Sequence, residues 1–220
     1  MTIGIDIKSV LEEIGLNYSI IRDSGDISEY TMVKANSQVT KPFIREFFLE
    51  GYISYDTQAE VGDILKFETE GAYFLLMHKT PELLENEVYR YAVVYYRCNQ
   101  VVDVLRPLDR EPDDRYRVSI TWTHVARQTR CCITTPLYGS ELADEPIGEV
   151  KREVYEMYAP TSLGIRPQDR ISISPTRYYK VETVKPFRYA GVDVVELHED
   201  TRGLTVTTTT STTTTTTTTA

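Results

Sequence analysis

The feature that most constrains this chain is a pattern that occurs twice, about a hundred residues apart, because a repeat fixes an architecture before any motif is interpreted. The first copy reads Phe43-Ile44-Arg45-Glu46-Phe47-Phe48, then Gly62-Asp63-Ile64-Leu65, then Tyr73-Phe74-Leu75-Leu76, and closes at Pro81. The second reads Val150-Lys151-Arg152-Glu153-Val154-Tyr155, then Gln168-Asp169-Arg170-Ile171, then Tyr178-Tyr179-Lys180-Val181, and closes at Pro186. Arg-Glu ahead of two large apolar residues, an Asp that opens a strand and a paired aromatic beyond it recur in one order with nearly one spacing. That order predicts a structural duplication.

The 220 residues allow one large domain or two small ones. Sixteen Tyr, abundant Val and Thr, and short segments broken by Gly and Pro favour strands over helices. The expected fold is mainly β: two small β-barrels related by internal duplication, with an N-terminal helix and an inserted β-hairpin wing. The expected division is an N-terminal helix, strand and loop over 1–38, a first barrel over 39–105, and an inserted loop and wing over 106–147. A second barrel follows over 148–204 and a Thr-rich tail over 205–220.

In the helix, Asp6 can cap the first turn, Ile7, Val10, Leu11 and Ile14 share a face, Lys8 and Glu12 pair, and Gly15 supplies the stop. Leu16 to Arg22 reads as a strand and the polar run Asp23 to Gln38 as a long loop. Asp63 to Phe67 and Tyr73 to Lys79 make a hairpin across Glu70-Gly71, and Val88 to Cys98 follows as a strand. The cleanest alternation sets Tyr116, Val118, Ile120, Trp122 and His124 on one face and Arg115, Arg117, Ser119, Thr121 and Thr123 on the other. Together with Arg127 to Thr135 this run forms the wing. Its apolar face needs a cover, either the chain's own second unit or a neighbour's surface.

Little in the sequence signals catalysis. Glycine-rich phosphate loops, the Gly-x-Ser-x-Gly elbow and the His-Glu-x-x-His helix are absent. His78, His124 and His198 sit in separate strands, and His198-Glu199-Asp200 point to opposite faces, so no metal, cofactor or catalytic residue is expected. Asp63 and Asp169 read as acceptors for the N–H groups of the turns they end. Three cysteines at irregular spacing are no disulfide framework, and Cys131 and Cys132 read as reduced thiols on opposite faces of a strand. A net charge of −9 disfavours gripping a phosphate backbone. With no run of eighteen apolar residues and no signal-like start, the chain reads as a soluble protein made in the cytoplasm.

Two barrels that open a strand with Gly62-Asp63-Ile64 or Asp169-Arg170-Ile171, followed by Tyr73 to Leu76 or Tyr179-Lys180-Val181, resemble the neck proteins of tailed bacteriophages. The head-closure, or stopper, group of head–tail connectors is the nearest resemblance, although Gln168 stands where that pattern has glycine. It implies a non-enzymatic virion protein in a homo-oligomeric ring around the DNA channel, contacting portal, adaptor and tail terminator. Packaged DNA would pass nearby without sequence-specific binding, and no membrane is involved. A minor tail or baseplate protein is the alternative in the same setting, and a small cytoplasmic ligand-binding β-protein or enzyme the alternative outside it. Tyr116, Val118, Ile120 and Trp122, with Arg115 and Arg117, are the candidate subunit contact, since Tyr, Trp and Arg are enriched at interface cores. The competing expectation is that this face packs inside its own chain.

Overall fold

The computed structural model describes residues 3–22, 25–35, 47–108, 111–112, 118–134 and 155–202. A helix, α1 (Ile3–Ile14), is followed by six strands: β1 (Leu16–Ile21), β2 (Ile27–Ala35), β3 (Phe48–Ser54), β4 (Ile64–Phe67), β5 (Ala72–Leu84) and β6 (Glu87–Arg97). They close into an antiparallel barrel in the order β1-β2-β3-β6-β5-β4. Two residues later β7 (Gln100–Pro107) begins a second barrel, joined by β10 (Trp122–Thr134), β11 (Tyr155–Pro160), β12 (Arg170–Ser174), β13 (Arg177–Tyr189) and β14 (Val192–Glu199). Between β7 and β10, β8 (Glu111–Pro112) and β9 (Val118–Ser119) form a short separate ladder.

The second barrel closes in the order β10-β11-β14-β13-β12-β7, the same circuit as the first when each strand is replaced by its counterpart. The registers agree as well as the order. Ile20 pairs with Leu65 as Val104 pairs with Ile171, and Phe74 lies opposite Leu65 as Tyr179 lies opposite Ile171. Each long hairpin carries a bulge at the same place, after Leu76 and after Val181. The chain is therefore mainly β, two closed six-stranded barrels of one topology, as an internal duplication requires. Closure pairs the staves on both sides and removes the free sheet edges that invite aggregation.

Inside the first barrel Tyr18, Ile20, Leu65, Phe67, Phe74 and Tyr95 pack into one core, and inside the second Val104, Met157, Ile171, Val181, Val195 and Leu197 do the same. Each such side chain contributes about 1.5–3 kcal/mol by leaving water. The strands alternate strictly enough that the outward residues are free to form other contacts.

Several sequence expectations need correction. The first barrel begins at Leu16, not at 39, because the expected loop contains β2. Its inward positions include the polar Thr31, whose hydroxyl lies 3.0 Å from Tyr95 Oη, and Glu29, which accepts from Tyr18 Oη at 2.6 Å. A core that takes polar side chains in this way hides the alternation that marks a strand. β7, placed in the first barrel up to residue 105, belongs to the second. The wing is also smaller than expected: the alternating run breaks at Ile120 and Thr121, and its longer part, β10, is a stave of the second barrel between β7 and β11. Asp6 lies inside the first turn of α1 rather than capping it, and Lys8 pairs with Asp56 at 2.5 Å instead of Glu12. Gly15 does end the helix, donating to Leu11 O at 2.8 Å. The Thr-rich tail and residues 36–46 lie outside the described residues.

Candidate functional site

The two repeat-equivalent acids sit in one construction built twice. Asp63 and Asp169 each follow a residue of positive φ, Gly62 at 97° and Gln168 at 75°, which turns the chain into β4 or β12. The Oδ2 of each accepts a backbone N–H three residues back, from Glu60 or Arg166, both at 2.8 Å. An arginine at the end of each barrel's first stave, Arg22 directly after β1 and Arg106 next to last in β7, then clasps the turn. Arg22 donates to Asp63 at 2.5 Å and to Gln58 O at 2.9 Å; Arg106 donates to Asp169 at 2.8 and 2.9 Å and to Gly164 O at 2.8 Å. These carboxylates are consumed by turn and guanidinium, which is a structural role.

Outward faces join the barrels. On the first, the cross-strand row Ile64, Leu75, Tyr96 and the neighbouring Met77 and Val94 are apolar; on the second, Cys132, Tyr158, Val192 and Val194 meet them. Tyr96 and Tyr158 pack edge to face at 5.1 Å, and the Arg130 guanidinium lies 3.3 Å from the Tyr73 ring centre. At the margin two backbones touch. A Cβ on Gly62 would collide with Gly191 O and one on Gly191 with Val61 O, so both positions require glycine for close approach as well as for positive φ.

The candidate contact residues are distributed rather than gathered on one exposed face. Arg115, Tyr116 and Arg117 lie outside the described residues, Val118 is in β9, and Ile120 is half-buried. Trp122 is only 1% exposed. Its ring is covered by the guanidiniums of Arg170 at 4.0 Å and Arg202 at 4.9 Å, so this chain already closes over it, and the expectation of an open Trp122 contact is corrected. Arg170 is itself fully buried and pairs with Asp200 at 2.7 Å, while Arg202 returns to Asp200 through two side-chain bonds at 2.7 and 2.8 Å. Burial works to raise the Asp200 carboxyl, but hydrogen bonds from Arg202 and Arg170 win and hold it at about 2. Trp122 Nε1 and Arg170 Nη1 are buried with no hydrogen-bond partner among the described residues.

Sequence reasoning missed this arrangement because its parts come from β10, β12 and the segment after β14. The usable signal was the Arg at position 170 where the first copy has Ile64, the one charge in a strand of Ile and Ser. The cysteines are free, Cys131 buried inside the second barrel, Cys132 buried at the joint and Cys98 partly buried beside it, and burial pushes the thiols of Cys98 and Cys132 up to about 12. No group of His, Cys, Asp and Glu among the described residues is arranged to hold a metal ion.

Comparison with known proteins adds little to this geometry. No family model matches the chain, and no curated protein matches it. Among solved structures, a crystal structure of MrkH from K. pneumonia aligns over 92% of this chain and 84% of that one, at 8% identity and a TM-score of 0.15. At that score the likeness carries no argument about fold or function.

Proposed function

We propose that this chain is a non-enzymatic structural protein of a tailed-phage neck, one subunit of a ring that surrounds the DNA channel between portal and tail. The observation that carries the reading is a two-barrel body with a tight joint whose outer projections carry apolar side chains. Phe187 is 97% exposed on the β13–β14 hairpin, and Leu83 and Leu84 stand at the tip of the β5–β6 hairpin. Exposed apolar groups on rigid supports suit contacts with neighbouring subunits. The acidic balance of the chain, −9, suits a passage that DNA crosses without adhering.

Disrupting the gene in its phage tests the proposal. Filled heads without joined tails, restored by the gene in trans, are the expected result. Infectious particles at normal yield would overturn it. In a fluorescence-anisotropy titration at physiological salt, duplex DNA should give background signal only; sub-micromolar, salt-sensitive binding would contradict a passive lining.

A further inference from the structure

The face of the second barrel that makes the joint has a counterpart on the first. Cys132, Tyr158 and Val194 form one cross-strand row, and register places Met32, Tyr52 and Ala92 in the same row of the first barrel. On the first barrel α1 lies there instead, with Gly4 against the Tyr55 ring and Leu11 buried. The helix covers the face incompletely. A groove of about 220 Å³ remains between them, walled by Ile3, Ile7 and Val10 from the helix and Met32 and Tyr52 from the barrel.

Along its open side α1 shows Ile3, Ile7, Val10 and Ile14, a stripe at the spacing of a helix seam. Ile14 is 65% exposed and Val10 46%, and Met32 continues the patch at 42%. Its rim is acidic: Asp6 borders the groove, and the exposed Glu13, seven residues on, lies on the same side of the stripe. The nearby cations are already engaged, Lys8 by Asp56 and Arg90 by Glu82, both at 2.5 Å. A second copy meeting this stripe would set Asp6 and Glu13 against themselves, which like charges oppose.

We propose that the α1 stripe and its groove are a docking site for an amphipathic helical segment of a different protein, one whose apolar stripe is flanked by Lys or Arg. Two features favour it: the acidic rim, and the use of the equivalent face of the other barrel for apolar docking. The site does not depend on the neck assignment, because binding is measured on the purified chain alone.

The probe is a fluorescein-labelled synthetic helix with leucine at seam positions and lysine at the flanks, titrated against the full chain by anisotropy beside an otherwise identical glutamate-flanked peptide. The lysine peptide should bind at least about tenfold more tightly, a margin that charge complementarity readily supplies. Val10→Asp should remove binding, and the double variant Asp6→Lys, Glu13→Lys, on exposed positions that leave the fold intact by circular dichroism, should reverse the preference. Failure of both peptides to bind, equal binding of the two, or binding indifferent to these variants would overturn the proposal. So would concentration-dependent dimerisation of the unmodified chain that Val10→Asp abolishes, since the occupant would then be a second copy.

Discussion

The two barrels share every stave and most of the register, and they differ where each could accept a neighbour. In the first, the row Ile64, Leu75, Tyr96 is apolar and lies under the second barrel; in the second, the same row is Arg170, Lys180, His198, and Trp122 closes over its Arg170. Gly62, which lets the backbones meet, has Gln168 as its counterpart, and Gly191, in the β13–β14 turn, has Asn86 in the β5–β6 turn. The joint is heterologous, one face against a different face, and such a contact can in principle repeat without end. Here the residues that would let a third barrel add have been replaced, and α1 sits on the other exposed end, as caps do in repeat proteins. Duplication supplied two copies of both faces; divergence kept one pairing.

The largest expected effect probes the polar row. Asp200→Ala leaves Arg170 buried without its carboxylate and should cost about 3–5 kcal/mol in urea unfolding. Ile64→Ala, at the counterpart of Arg170, should cost less, about 2 kcal/mol. If the apolar truncation proves the more damaging, the contrast between the two rows is broken.

Acid should act on the same contrast. An unfolded Asp titrates near about 3.9 and Asp200 is held at about 2 in the fold, so its contribution is full above about pH 4 and is lost as pH falls toward about 2. The loss amounts to about 2 kcal/mol, read as a falling urea midpoint, and Asp200→Asn should flatten that part of the profile. An unchanged slope in the variant would assign the acid sensitivity elsewhere.

The joint supplies a smaller effect. Gly191→Ala places a Cβ against Val61 O at positive φ and should cost about 1–2 kcal/mol, separating one calorimetric transition into two. Asn86→Gly, in the counterpart turn, should stay within about 0.5 kcal/mol. Equal outcomes would mean that the two hairpin turns do not differ in what they touch. Smallest of all, Arg202→Ala should cost about 0.5–1 kcal/mol and shift the emission of the single tryptophan to the red, since one cover of the Trp122 ring is gone.

Much of the fold was legible because the duplication writes it twice. The turn role of Asp63 and Asp169 follows from local chemistry, and the structure gives each its backbone N–H. Their arginines were not legible: Arg22 precedes Asp63 by 41 positions and Arg106 precedes Asp169 by 63, since longer connections on both sides of β10 and the longer β10 itself stretch the second interval. β2 escaped because Thr31 and Glu29 face inward, and β7 was assigned to the wrong barrel because only Cys98 and Asn99 separate it from β6. The Trp122 run was read as one alternating strand, whereas the structure breaks it at Ile120 and Thr121, and alternation says which residues share a face and not what covers it. The cover came from Arg170 and Arg202, distant in sequence.

The neighbouring cysteines have a practical consequence. Cys131 points into the second barrel and Cys132 into the joint, so successive residues are shielded by different structural units. A thiol reagent reaches Cys132 once the barrels part, yet reaches Cys131 only when the second barrel itself opens. The rates of alkylation at the two sites therefore act as paired clocks, one timing separation of the halves and the other timing the melting of a half, within a single unmodified chain.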